Sequence, residues 1–340
     1  MNRRIPISKK PLSVEHAREL LRMVRLVSFK TGEFVTILPS LGGRVHEIVL
    51  KAGKRRFSIL ESPQSAADII KNDHFAGAKL IPFAGRIPEA KYEFGGKAHR
   101  LTVDPRGNFA IHGFVTDKLF RIAKSTAGAD HASVVLEYTH HGKTKGYPFK
   151  FFVRLTFSLK NSVFSCTTEI RNIDSKPLPV GDGWHPYFRT SGPIGKMFLS
   201  LPSHSVVEVT PLFKVPTGRT IKSAPGRVII PLNRKEMDSV FDFGEKQRRV
   251  TTRLIDPTVG VEIQIWQESG RKKYRYLVVY RSPAGSSIAI EPWTSAPDAF
   301  NNSMGLLILK PGAKFKSSYG VKLRQLRSSR SRGSRIEHKR

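Results

Sequence analysis

Apolar and polar residues alternate along most of the chain. In "FKFFVRLTFSLK", Phe149, Phe151, Val153, Leu155, Phe157 and Leu159 are apolar, with Lys150, Arg154, Thr156 and Lys160 between them. A period of two is that of a strand with one buried face. A turn at "KNS" leads into "VFSCTTEIRN", where Phe164, Cys166 and Ile170 share a face, so the two runs predict a hairpin. "SVVLEYT", "VEIQIWQ", "KYRYLVVYR" and "SSIAIEPW" are further β-branched or aromatic runs set between Gly, Pro, Asp or Asn clusters. Strands at this density predict an all-β antiparallel sandwich or barrel rather than a βαβ fold. Only the beginning reads as helical. Ser13 is placed to cap "VEHARELLRMVRLV", where Ala17, Leu20, Leu21 and Val24 recur at helical spacing, which predicts an amphipathic helix packed on the main domain.

This pattern divides the chain into an N-terminal extension with that helix (1–31), one large β domain (32–325) and a basic tail (326–340). No polar linker splits the middle part, and the tail lacks the apolar residues that would order it. Charge adds a second feature: 58 Lys+Arg against 27 Asp+Glu give a formal +31. The segment "RSSRSRGSRIEHKR" holds six Lys/Arg and one Glu, net +5, so the rest of the chain keeps +26 of the +31. The bias therefore belongs to the whole protein. It attracts polyanions in general, but no RNP, KH or helix-turn-helix signature accompanies it, and no specific nucleic-acid partner is expected. The sole cysteine, Cys166, excludes an intramolecular disulfide or a cysteine-built zinc site and reads as a small buried side chain. No apolar run is long enough to span a membrane, and no apolar segment follows "MNRRIPISKK", so a soluble, cytoplasmic protein is expected. The basic "RRIPISKK" fits a transit peptide, against which the two glutamates of "SVEHAREL" argue.

Four turn-bounded segments hold candidate chemistry. "PFAGRIPEAKY" carries Arg86, "GNFAIHGF" carries His112, "GDGWHPYF" carries His185, and "SIAIEPWTSAPDAFN" carries Glu291 at the end of an apolar strand stopped by Pro292. A glutamate after Ile288, Ala289 and Ile290 is poorly placed for a surface charge, and burial would raise its pKa. Histidine and carboxylate form a natural acid–base pair. Spacing alone leaves each with a bland alternative: Arg86 in an ion pair, His112 and His185 as core histidines, Glu291 paired with any of many cations. His140 and His141 in "THHGKTKGYP" would point to opposite sides of a strand end, so they read as a surface loop rather than a metal site.

Taken in order, "IPFAGRIPEAKYEFGGKAHRL", "GNFAIHGF", "GDGWHPYF", "EMDSVF" and "IEPWTSAPDAFN…LLILKPG" resemble the aldose 1-epimerases, or galactose mutarotases. The resemblance implies a large antiparallel β-sandwich with an open sugar-binding cleft, interconverting the α and β anomers of an aldohexose without metal or other cofactor. It implies Glu291 as catalytic base, His185 as catalytic acid, and Arg86, His112 and Asp238 as groups that bind the sugar. Both catalytic pKa values would then lie near neutrality, and Trp184 or Trp293 could stack on the sugar. The chain departs from many members at Gly85, where they have Asn, at Phe114, where they have Gly, and at Trp184, where they have Asn. These positions are expected around the sugar and bear on its identity. "HGF" and "HPYF" also resemble divergent relatives that act on hexose 6-phosphates. A carbohydrate-binding protein without activity is the alternative from another class, against which retention of both Glu291 and His185 argues.

Overall fold

A computed structural model of the 340-residue chain describes residues 21–233, 236–281 and 285–326. The alternating runs form strands as expected. Lys150–Lys160 and Val163–Asn172 pair antiparallel through Asn161 and Ser162, both with left-handed φ (50° and 58°), the twist a two-residue hairpin loop requires. Phe151, Val153, Leu155, Phe157, Leu159, Phe164, Cys166 and Ile170 are completely buried.

Among the described residues, nine strands make one sheet. Its spatial order is Arg121–Ala127, His131–His141, Lys150–Lys160, Val163–Asn172, Lys314–Gln325, Val261–Glu268, Arg249–Asp256, Phe198–Leu201 and Val228–Pro231. A second sheet runs Pro216–Lys222, Ser205–Val209, Met237–Asp242, Tyr276–Arg281, Ile288–Trp293, Gly183–His185 and Ala78–Leu80, with Tyr187–Phe188 also paired to Ile288–Trp293. The named strand pairings within both sheets are antiparallel, and the two sheets enclose one continuous apolar core. Trp184 of the second sheet packs between Phe157 and Tyr319 of the first. The molecule is thus the large antiparallel sandwich that the period of two predicts.

Two expectations change. The first half of the helix expected over residues 14–27 falls outside the described residues, and its last part is not helical: Val24–Ser28 is a strand, paired with Glu33–Leu38. Leu26 and Ser28 face inward on that strand, so "VRLVS" follows period two, and the β structure begins before residue 32. His140 and His141 end the strand His131–His141 rather than lying in a loop. They do point opposite ways: His141 is exposed, while His140 is buried against Phe114, Tyr147 and Phe151. The tail beyond Leu326 lies outside the described residues.

Candidate active site

The second sheet has two faces, and consecutive residues choose between them. Trp184 points into the core, so His185 points the other way, into a cleft. Gly183 pairs with Trp293, and continuing that antiparallel register sets His185 opposite Glu291. The strand bearing Glu291 runs on through Pro292 to Trp293 instead of stopping at the proline. Nε2 of His185 lies 3.4 Å from Oε2 of Glu291, with the side chains 8% and 1% exposed.

The other residues picked from sequence meet this pair in one cleft. Arg86, His112, His185, Asp238 and Glu291 all line it, together with Phe75, Arg106, Tyr187, Lys214, Tyr280 and Trp293. Arg86 begins a short strand whose partner, Phe109–Ile111, delivers His112. The guanidinium lies over the Phe109 ring, 5.3 Å from its centroid. His112 has a left-handed backbone (φ 57°), as has Gly113 after it (φ 71°). A Cβ on Gly113 would fall 1.9 Å from the carbonyl oxygen of Ile81, so only glycine allows this turn. Nδ1 of His112 accepts the Gly85 N–H at 3.2 Å, which leaves the proton on Nε2 as a donor. Its ring meets that of His185 edge to face at 5.2 Å. Asp238 enters from the strand Met237–Asp242 and stands 3.5 Å from Lys214 Nζ.

Electrostatics here follow burial. Desolvation drives the His185 imidazole down to about 3, and it drives Glu291 well above the usual carboxylate range. The Asp238 charge raises Glu291 further, and the neighbouring Trp293 indole opposes the rise. Desolvation, with the nearby His185, Arg86 and Arg106, also keeps His112 neutral. The His185 value therefore lies well below neutrality, contrary to expectation, while that of Glu291 is shifted upward. Among the described residues, Oε2 of Glu291, Nδ1 of His185 and Nε1 of Trp293 are buried without a hydrogen-bond partner. Such atoms lining a concave site are free to bind a polar ligand.

Of the three departures from the resembled family, only Gly85 lines the cleft. Phe114 packs on His140, Tyr147 and Phe151, and Trp184 is fully buried between the sheets. Trp184 is thus excluded as a sugar platform, while Trp293 faces the cleft. Sequence reading missed Tyr187, whose ring stacks on His185 at 5.0 Å, although it lies two residues further on, where period two returns a side chain to the same side. Phe75, Arg106 and Lys214 come from loops and left no such signal.

Residues 25–322 match the family described as Aldose 1-epimerase. The uncharacterized protein YihR of Escherichia coli (strain K12) is 25% identical over 262 residues, 72% of this chain and 78% of that protein. A galactose mutarotase-like protein from Clostridium acetobutylicum has a similar fold, with TM-score 0.75 and 19% identity over 91% of this chain and all (100%) of the other. A GalM/aldose epimerase homologue from C. elegans superposes with TM-score 0.76 and 17% identity, covering 90% and 100% of the two chains.

Proposed function

The chain belongs to the aldose 1-epimerase family, and from that premise we propose that it interconverts the α and β anomers of an aldohexose, with Glu291 and His185 moving the protons. The observation that carries this reading is the buried His185–Glu291 contact at 3.4 Å on the floor of a cleft that Arg86, His112 and Asp238 also line.

In this reaction a carboxylate takes the proton of the C1 hydroxyl while an imidazolium gives its proton to the ring oxygen, and the hemiacetal opens. Rotation about C1–C2 and the reverse transfers then close the opposite anomer. Glu291 as base and His185 as acid begin as a charged pair and end, with the ring open, as carboxylic acid and neutral imidazole. Burial favours that second state. Desolvation thus disfavours the charge-separated pair from which ring opening starts, and hydrogen bonds from the sugar hydroxyls to that pair would have to offset this. Nε2–H of His112 and the Arg86 guanidinium are donors suited to the oxygen that gains charge. Trp293 offers an aromatic edge to the cleft.

A second reading, the same reaction on a hexose 6-phosphate, draws support from three cations lining the cleft: Arg86, Arg106 and Lys214. Arg106 is clamped by Asp104 and Lys214 is paired with Asp238, whereas no carboxylate pairs with Arg86 among the described residues. One unpaired guanidinium suits a hydroxyl-rich neutral sugar as well as an anion, so the free aldohexose stays first. Optical rotation or proton NMR of freshly dissolved α-glucose, α-galactose and glucose 6-phosphate tests both. The first reading expects a free sugar to equilibrate faster than in buffer, and the second expects only the phosphate to do so. Equilibration of none of them by the wild-type protein would overturn both for these sugars.

A further inference from the structure

Behind the His185 strand, on the face turned from the cleft, lies a buried ion pair that the chemistry above does not use. Lys79 Nζ contacts Asp182 Oδ1, and both side chains are 0% exposed. Tyr274 Oη donates to Asp182 Oδ2 at 2.7 Å, accepts from Trp184 Nε1 at 3.2 Å and meets Thr168 Oγ1 at 3.1 Å. The ammonium also sits 4.2 Å from the centre of the Trp184 ring. Two charges so fully removed from water are expensive, and apolar side chains could fill the same space without that cost. Where such pairs persist, their best-attested use is to fix a register.

The backbone of these residues runs directly into the acid–base pair. Lys79 is cross-strand partner to Trp184, and Ala78 to His185. The Asp182 N–H donates to Thr294 Oγ1 at 2.9 Å, and the Thr294 N–H returns to the Asp182 carbonyl at 2.9 Å, just beyond the strand that bears Glu291. Tyr274 lies just ahead of the strand Tyr276–Arg281, whose Val278 pairs with Glu291. The polar cluster therefore touches each strand of the cleft floor around Glu291. A slip of one residue in the strand Gly183–His185 would exchange the faces of Trp184 and His185. It would also part Asp182 from both Lys79 and Tyr274, leaving buried charges unpaired.

We propose that Lys79, Asp182 and Tyr274 are positioning residues for the reaction: through directional contacts on the core face they hold the strand Gly183–His185 in the setting that aims His185 at Glu291. This rests on the acid–base reading of that pair. Apolar packing alone would tolerate small sideways shifts, whereas the hydrogen bonds and the ion pair do not.

The test uses the full chain with Lys79→Met/Asp182→Leu, which removes both charges together, and Tyr274→Phe, which removes only the hydroxyl. Two quantities are read: the ring NMR signals and titration midpoint of His185, assigned with His185→Asn, and kcat and KM for the sugar that wild type equilibrates. The His185 ring is faced by Glu291, His112, Tyr187 and Phe75, with His74 nearby, and none of these is altered. The expected result is a cooperatively folded protein in which the His185 signals move and its midpoint rises toward the ordinary 6.5. kcat should drop about 10-fold or more with KM within about twofold, since a misplaced group loses transition-state rather than ground-state contact. A folded variant with wild-type His185 signals and wild-type kcat overturns the proposal. If the double variant does not fold, Tyr274→Phe decides by the same two readings. If wild type equilibrates no sugar, the mutarotase reading fails separately, and the His185 signals alone decide positioning.

Discussion

His185 and Glu291 are cross-strand neighbours 3.4 Å apart, and burial disfavours the charged form of each. In the proposed reaction each acts in ring opening and again in closure. Glu291→Gln and His185→Asn are each expected to slow anomer equilibration ~10²-fold or more, because loss of either proton carrier removes general acid–base catalysis from both half-reactions. Polarimetry on the two folded variants checks this, and wild-type rates in both would refute the assignment.

The shared proton sets the pH dependence. With the His185 value lowered to about 3 and that of Glu291 raised, the one-proton pair persists between the two. It gains a second proton only in strong acid and loses its only proton when pH rises through the raised Glu291 value. kcat/KM should therefore hold level between the two values and fall as pH rises through the raised Glu291 value. A profile that instead rises through pH 6.5, the ordinary histidine value, would contradict the desolvation of His185.

Arg86 reaches the cleft over the Phe109 ring and has no carboxylate partner among the described residues. In the proposed reaction its loss removes donors to the sugar and leaves Glu291 and His185 in place. Arg86→Ala is expected to raise KM about tenfold with a smaller change in kcat. A large fall in kcat at unchanged KM would instead assign Arg86 mainly to the transition state.

His140 offers a stability test away from the cleft. Burial lowers its pKa from 6.5 to about 4, so the folded state holds it neutral while the unfolded state protonates it. Stability is then lost as pH falls from 6.5 toward 4, by about 1.4 kcal/mol per pH unit for this one group. Against wild type, His140→Leu should gain about 2 kcal/mol between pH 7.5 and pH 5 in urea unfolding. A pH-independent difference between the two proteins would show that His140 does not titrate this way.

Gly113 is where the chain turns to present His112. An alanine there would combine a left-handed φ of 71° with a Cβ 1.9 Å from the Ile81 carbonyl oxygen. Gly113→Ala should cost about 3 kcal/mol or more and lower the melting temperature by several degrees. A melting curve that superimposes on that of wild type would mean that the turn can relax.

The sandwich was legible because its long strands bury one face: the hairpin of Lys150–Lys160 with Val163–Asn172 follows from alternation alone. Val24–Ser28 was misread because Leu20, Leu21 and Val24 also satisfy helical spacing, and a five-residue strand holds too few periods to overrule it. At the cleft, the residues read from motifs assemble in one place. What failed was the inference that neighbours in sequence are neighbours at the site. Trp184 adjoins His185 in the chain and lies on the opposite side of the sheet, as alternation requires. The Lys79–Asp182 contact joins residues far apart in sequence and has no local signature.

Gly85 stands where the resembled family often has asparagine, and its backbone is left-handed at φ 79°. A Cβ there would stand 3.0 Å from Trp293 Cζ3 and 3.1 Å from Pro297. The indole thus crowds position 85, and a side chain there would have to push it or Pro297 aside by a few tenths of an ångström. Where an asparagine would give this wall an amide, it has the edge of an aromatic ring. In the proposed reaction the substrate would meet a drier wall here, and a sugar lacking or masking a hydroxyl on that side would lose less than it would against an amide.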